Sequence, residues 1–172
     1  MTLGMSLQTF TMVHVIITLI AIASGLIVLL GMVGSHRLPA LTALFLLTTV
    51  LTSVTGFMFP IHGFTPALGV GIISMVVLVI ALLALYGKHL TGGWRWIYVV
   101  SAVIALWFNI FVLIVQSFEK LAFLNAAAPQ VGPPFAEPVN THFAIAQGAA
   151  LVILVVLGLL AAFKFRPAQQ YA

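Results

Sequence analysis

Three histidines, His14, His62 and His142, are the residues of this sequence best suited to binding chemistry. They come from distant parts of the chain, and each lies near the end of a long apolar segment. Imidazole is the commonest metal ligand, and three imidazoles with an open fourth position suit zinc or copper. Alternatively, His14 and His142 would be the two axial ligands of a haem inside a helix bundle. The sequence therefore predicts a metal site or a haem site.

Other polar residues in the apolar segments fit around such a site. Glu119 and Gln116 carry side chains that can orient a histidine by hydrogen bonding. Bound zinc makes hydroxide available near neutral pH, and Glu119 or Glu137 would act as the base that accepts the proton of the bound water. Polar side chains at helical spacing would line a pocket below the histidines, and these are Thr18, Thr52, Thr55 and Asn109.

The amino-acid composition indicates whether these residues lie in a water-soluble protein or in a membrane. The chain has 172 residues, of which 63% are hydrophobic and 5% are charged. Soluble domains carry about 25% charged residues, so the six basic and two acidic side chains of this protein cannot form a water-exposed surface. The apolar runs are long and continuous, without the alternation of barrel strands. The composition therefore predicts an all-α integral membrane protein whose first partner is the lipid bilayer.

Several classes of function are disfavoured by what the sequence lacks. There is no cysteine, which excludes disulfides, thiol catalysis and iron–sulfur ligation. The HExxH, glycine-rich phosphate-loop and GxSxG patterns are also missing. Neither of the two acidic residues lies in mid-span, so a carboxylate proton relay is not expected. The pI near 10 reflects basic residues spread over short loops, which is a topology signal. We therefore expect no nucleic-acid partner.

Five segments are long enough to cross a hydrocarbon core of about 30 Å at about 1.5 Å per residue. The predicted spans are about 10–33, 39–59, 66–86, 94–118 and 141–163. The short connections between them make successive helices antiparallel neighbours. The one long connection, 125–140, holds four of the eight prolines and is expected to be an extended loop on the outer side. We expect residues 1–172 to form one transmembrane domain.

The basic residues predict how the bundle is oriented. Five of the six fall on one side of the membrane, and these are Arg37, Lys88, Arg95, Lys164 and Arg166. Basic loops face the cytoplasm, so we expect the N-terminus outside and the C-terminus in the cytoplasm, as in a bacterial inner membrane. Aromatic residues near the same loops are expected to form an interfacial belt. They are Tyr86, Trp94, Trp96 and Tyr98.

Counting about 20 residues from the basic end of each span predicts the depth of the polar residues. By this count His14, His62 and His142 reach one outer layer of the membrane, and Gln116 and Glu119 join them from the fourth span. The outer halves of the spans hold most of the polar side chains, whereas the inner halves are almost entirely aliphatic. We therefore expect a polar pocket that opens at the outer face and is closed at the inner face.

A plainer interpretation of the same residues is helix packing. Ser and Thr in membrane helices commonly bond to a carbonyl of the preceding turn or join neighbouring helices. A single histidine at a membrane interface needs no ligand, and His36 and His89, in the basic loops, are expected to be solvated. Under this second hypothesis the protein is non-enzymatic. It would be an accessory subunit of a membrane complex, or a binder of a lipid or other small apolar ligand.

Small residues at helical spacing predict where helix backbones approach closely. The first span has Ala21 and Gly25 in this arrangement, and the fifth has Ala144 and Gly148. The fifth span also carries the run AIAQGAA, so we expect it to pack in the centre of the bundle. The chain contains no internal repeat, and a homo-oligomer would supply the symmetry that a single copy lacks.

Overall fold

The computed structural model describes residues 4–60, 63, 66–127 and 141–166, and within these ranges the chain is all-helical. The helices are α1 (Leu7–Val33), α2 (Pro39–Phe57), α3 (Pro66–Leu82), α4 (Trp94–Lys120), the short α5 (Ala122–Ala127) and α6 (Thr141–Lys164). A π-helical turn, Leu83–Gly87, continues α3. Five of these elements are long and apolar enough to cross a membrane: α1, α2, α3 with its π turn, α4 and α6. The prediction of five apolar helices is confirmed.

The helix boundaries follow local chemistry. Ser6 precedes α1, and its Oγ accepts a hydrogen bond of 3.1 Å from the Thr9 backbone N–H, one of the donors that a helix start leaves unpaired. Pro39 opens α2 at the first helical position, where its missing N–H is no loss. Leu121, with extended backbone angles, ends α4 and separates it from α5. The sequence did not predict α5 as a separate helix.

The spanning helices pack side by side in a ring. α1 contacts α2 and α6, α3 contacts α2 and α4, and α4 contacts α6, while α1 and α4 also touch across the ring. α1 is the most enclosed helix, with 44% of its most apolar stretch buried, whereas the figure for α6 is 11%. The expectation that the fifth span is central was therefore wrong. A Cβ on Gly148 of α6 would meet nothing within 4 Å, so this part of its small-residue pattern faces outward.

The small residues of α1 do face a neighbour. Ala21 is fully buried, and a Cβ built on Gly25 would lie 2.8 Å from both Leu106 on α4 and Phe45 on α2. Without a hydrophobic force between helices in lipid, such close packing is a main source of their association. Gly25 thus allows the close approach of α1 to α2 beside it and to α4 across the ring.

One end of the bundle collects the basic loops, and we call it the basic end: residues 34–38, 88–93 and 165–166. The segment after α6 is tied to the other helices there, because Ser35 Oγ accepts a 3.0 Å hydrogen bond from the Arg166 backbone N–H. Arg95, at the start of α4, donates to the backbone carbonyl of Phe165 and, at 3.4 Å, to that of Ala162. These carbonyls would otherwise be unpaired at the end of α6.

Substitution at Gly25 tests the packing of α1. Gly25→Val places methyl groups where Leu106 and Phe45 already lie, and overpacking of this kind costs about 1–3 kcal/mol. We expect the variant to lose about that much unfolding free energy in a detergent-denaturation titration. The matched variant Gly148→Val, which enters open space on α6, should stay within about 0.5 kcal/mol of the parent. Equal stability of the two variants would contradict this packing.

Candidate functional site

His14 lies on α1 near the end of the bundle opposite the basic end, and it is half-buried. Its Nδ1 is 2.7 Å from Thr55 Oγ1 on α2. The Phe59 ring packs edge-on against the imidazole, with the ring centroids 5.2 Å apart. Gly56 leaves room beside it, because a Cβ there would lie 3.8 Å from His14 Cε1. The ring is therefore positioned by α2 and by the residues that follow it.

The hydrogen bonds of Thr55 favour one tautomer of His14. Thr55 Oγ1 lies 2.7 Å from the Leu51 carbonyl and 3.2 Å from the Thr52 carbonyl, and its one hydrogen is donated to these oxygens. With the hydrogen placed there, Oγ1 accepts the bond from His14, which assigns the proton of the neutral imidazole to Nδ1 and the lone pair to Nε2. Histidines that bind metals usually donate their other ring N–H in this way. Nε2 is therefore the nitrogen that would bind a metal ion or accept a proton.

Further hydrogen bonds join the helices deeper in the bundle. The hydroxyl oxygens of Thr18 on α1 and Thr52 on α2 are 3.3 Å apart. Ser53 Oγ donates to Ser74 Oγ on α3 over 3.5 Å. Both links join side chains on neighbouring helices. With lipid as the solvent, such groups find partners inside the protein.

The most enclosed of these links joins α4 to α2. Asn109 Nδ2 donates to Thr49 Oγ1 over 3.1 Å, and Thr49 in turn donates to the Phe45 carbonyl over 2.8 Å. Both Asn109 and Thr49 are buried, with 5% and 0% of their surface exposed. We call the linked residues the polar seam: His14, Thr18, Thr49, Thr52, Ser53, Thr55, Ser74 and Asn109.

The residues predicted to line a pocket are part of this seam. Thr18 and Thr52 approach each other, Thr55 bonds His14, and Asn109 bonds Thr49. The pairing has a simple cause, since a hydroxyl or amide in hydrocarbon is stabilised when it meets a partner on the next helix. The sequence also indicates related depths for these residues, and the outward-opening pocket predicted around them stays a prediction.

The structure tests the predicted metal site only in part. Within the described ranges, no group of three His, Cys, Asp or Glu side chains is placed to hold a metal ion. His142 is exposed at the start of α6, and Glu119 is exposed in the last turn of α4, where Gln116 Nε2 is 3.5 Å from one of its oxygens. His62 and Glu137 lie outside the described residues. The three-histidine site, and a haem between His14 and His142, therefore stay predictions.

The basic end contains a cavity that the sequence did not predict. Its volume is about 270 Å³, and α1, α2, the π turn, α4, both basic loops and Phe165 contribute to its wall. The buried part of its lining is mainly apolar, and it consists of Val28, Met32, Leu90 and Phe165 together with the hydroxyl-bearing Thr42 and Tyr98. Its exposed polar lining residues are His36, Arg37, Tyr86 and His89. The cavity therefore combines a mainly apolar floor with a polar, basic mouth.

The basic residues around the cavity have different surroundings. Lys88 Nζ lies 5.5 Å from the centre of the Trp94 ring, a cation–π distance. Arg95 is bonded to the carbonyl end of α6, and its guanidinium lies 5.3 Å from the centre of the Trp96 ring. Arg37 itself lines the cavity, and its side chain is exposed.

The backbone at the cavity is unusual. His89 and Leu90 have φ angles of 49° and 60°, in the left-handed region that costs a side-chain-bearing residue roughly 1–2 kcal/mol. They directly follow the π turn and Lys88, whose N–H bonds to the Leu83 carbonyl over 2.8 Å. This path buries Leu90 and leaves His89 exposed, with both residues at the cavity. Backbone strain of this kind clusters at ligand-binding positions, and π turns do so as well.

One expectation about this end is confirmed and one is revised. His36 and His89 were predicted to be solvated, and both are exposed, although each also lines the cavity. Tyr98 was predicted to belong to the interfacial aromatic belt, but only 2% of its surface is exposed. The sequence signal at this end is the pairing of a histidine with a basic neighbour in both short loops, His36 with Arg37 and His89 with Lys88, which was interpreted only as solvated loops.

Comparison with known proteins gives no further guide. No family model, no curated protein and no solved structure matches the chain. The functional interpretation therefore rests on the polar seam and the cavity at the basic end.

The bond between Asn109 and Thr49 can be measured by a double-mutant cycle. Asn109→Leu and Thr49→Val each remove one partner, and their coupling energy in a detergent-denaturation titration should be about 0.6 kcal/mol, with an upper bound of about 1.7. Ser101→Ala is the control partner for Thr49→Val, because Ser101 bonds the Ile97 carbonyl of its own helix at 2.7 Å. A coupling no larger than that of the control pair would contradict the interhelical bond.

Nitrogen NMR of histidine-labelled protein tests the assigned tautomer. We expect the neutral His14 ring to show its proton on Nδ1, because the Thr55 hydroxyl donates to a carbonyl of its own helix and accepts from the ring. Thr55→Val removes the acceptor and should shift the ring toward the Nε2–H form, whereas Thr11→Val, which removes a hydroxyl bonded to the Leu7 carbonyl at 2.8 Å, should leave it unchanged. A proton on Nε2 in the parent protein would show the assignment to be wrong.

Proposed function

We propose that this multi-pass membrane protein binds a small amphiphilic ligand in the cavity at its basic end. The observation that carries the proposal is the cavity wall, which is apolar at the floor and basic at the mouth. Ligand pockets are typically concave, mainly apolar and equipped with a few polar groups that fix orientation. The lining matches that description with residues from four spanning helices and both basic loops.

The size and position of the cavity favour an amphiphile over a bulky cofactor. Pockets for drug-sized ligands occupy about 300–1,000 Å³, and 270 Å³ lies just below that range. The mouth is formed by helix ends and loops, the level at which lipid head groups meet a spanning protein. An amphiphile would place its polar head group against the basic mouth and the first part of its apolar chain against the floor.

We further propose that the basic end faces the cytoplasm and that the N-terminus lies outside. The loops that carry Arg37 and Lys88 meet at one end of the bundle with Arg166, and positive residues mark the cytoplasmic side of membrane proteins. A bacterial inner membrane, with the described helices forming one domain, fits this placement. The exposed aliphatic side chains of α3 and α6 fit lipid, and also fit a second copy or another subunit of a complex.

Metal or haem binding is a separate proposal for the opposite end. Its support is the geometry of His14, whose Nδ1 is engaged by Thr55 and whose Nε2 is left to ligate. The site would need His62 and His142 as further ligands. It does not overlap the cavity, so the two proposals stand independently.

Filling the cavity tests ligand binding. Val28→Phe and Thr42→Phe each direct a ring toward the cavity, and Val155→Phe is the matched control on the exposed face of α6. Native mass spectrometry after titration with phosphatidylglycerol and phosphatidylcholine should show at least a tenfold loss of bound lipid in both cavity variants and none in the control. Helix content by circular dichroism checks folding. Equal lipid binding by all four proteins would overturn the proposal.

A further inference from the structure

We infer that the head group bound in the cavity is a phosphate carrying net negative charge, held by the Arg37 guanidinium and the His36 and His89 imidazoles. The inference rests on the proposed ligand-binding function and names the chemistry of that ligand. It follows from the charge, the hydrogen-bond donors and the backbone at the cavity mouth.

The cavity mouth carries positive charge, and within the described residues no acidic side chain lies near it. Arg37 lines the cavity, whereas Glu119 lies in the last turn of α4. At about 1.5 Å per residue, Glu119 is roughly 37 Å from Trp94, which starts the same helix at the basic end. A guanidinium presents a planar fork of N–H donors that matches two phosphate oxygens. An anion is therefore the ligand that this side chain favours.

Two imidazoles add donors from separate loops. His36 comes from the α1–α2 loop and His89 from the loop after the π turn, and both line the cavity beside Arg37. An imidazole carries at least one N–H donor in either protonation state. A tetrahedral phosphate has oxygens enough to accept from all three side chains, which a carboxylate with two oxygens does less well.

The start of α2 also favours an anion at this position. Leu38 and Pro39 line the cavity, and no side chain caps the N-terminus of α2. The unpaired N–H groups and the dipole of a helix start attract negative charge. This feature supports the site but does not define it, because the guanidinium and imidazoles supply the specific contacts.

The apolar floor indicates the source of the phosphate. A soluble phosphate would leave Val28, Met32 and Phe165 without a contact, whereas a lipid places its glycerol and acyl chain on them. Basic pockets between membrane helices on the cytoplasmic side are known to accept anionic lipid head groups. We therefore assign the phosphate to an anionic phospholipid, with a soluble phosphate as the alternative source of the same chemistry.

The test compares lipids and arginine variants in the full-length protein. Native mass spectrometry should show phosphatidic acid and phosphatidylglycerol binding at least tenfold more tightly than phosphatidylcholine.

Arg37→Gln should reduce that preference about tenfold or more, as expected for loss of a charged hydrogen bond. Arg166→Gln removes the same charge from the same end without touching the cavity lining, and it should keep the preference. His36→Ala and His89→Ala should each weaken binding of the anionic lipids by about 2- to 10-fold.

Each outcome has one meaning. If inorganic phosphate or glycerol phosphate binds in an Arg37-dependent way and the lipids do not, the phosphate chemistry stands and its source is soluble. Equal affinity for phosphatidylcholine and phosphatidic acid, or equal losses in Arg37→Gln and Arg166→Gln, would overturn the inference. If Val28→Phe still removes both lipids in that case, the proposed ligand binding survives. Lipid binding that Val28→Phe leaves intact would instead refute the proposed function itself.

Discussion

The absence of water inside a bilayer is the constraint on which this structure depends. A polar side chain within a spanning helix is stabilised by meeting another protein group. The polar seam is the result: Asn109 meets Thr49, Thr18 meets Thr52, and each threonine hydroxyl of the seam has a carbonyl or hydroxyl within reach. In the same bundle Gly25 lets α1 approach α2 and α4, because a Cβ there would lie 2.8 Å from Phe45 and Leu106. Close packing and polar pairing therefore support one another.

The same constraint divides the bundle into zones with different packing. Near the basic end the core consists of aliphatic and aromatic side chains, with Leu29, Phe45 and Tyr98 among those almost fully buried. The polar seam occupies the middle and runs toward His14. At the far end Phe118 on α4 packs edge-on against Phe143 on α6, with centroids 5.6 Å apart. The cavity lies where the apolar core reaches the loops, so its floor is a continuation of that core.

Hydropathy predicts the spans well because burial in lipid acts on whole segments. It predicts neighbours poorly, and the glycines show why. Gly25 and Gly148 follow the same small-residue pattern, yet one touches Phe45 and the other faces open space. The small-residue pattern indicates that a neighbouring helix could pack closely, but the packing of the other helices determines whether one does. Composition also treats Tyr98 as an interfacial residue, although its neighbours enclose it.

The cavity at the basic end could not be predicted from the sequence for a different reason, which the π turn illustrates. A π turn accommodates one extra residue in a helix, and each residue of an α-helix advances the direction of its side chains by about 100°. The π turn Leu83–Gly87 therefore rotates the direction of the side chains that follow it, including that of His89, relative to those of α3. Removing a single residue there would leave hydropathy almost unchanged while turning the following side chains to another face. Residue types therefore determine the chemistry of the basic end, whereas the number of residues in the turn determines which way its side chains point.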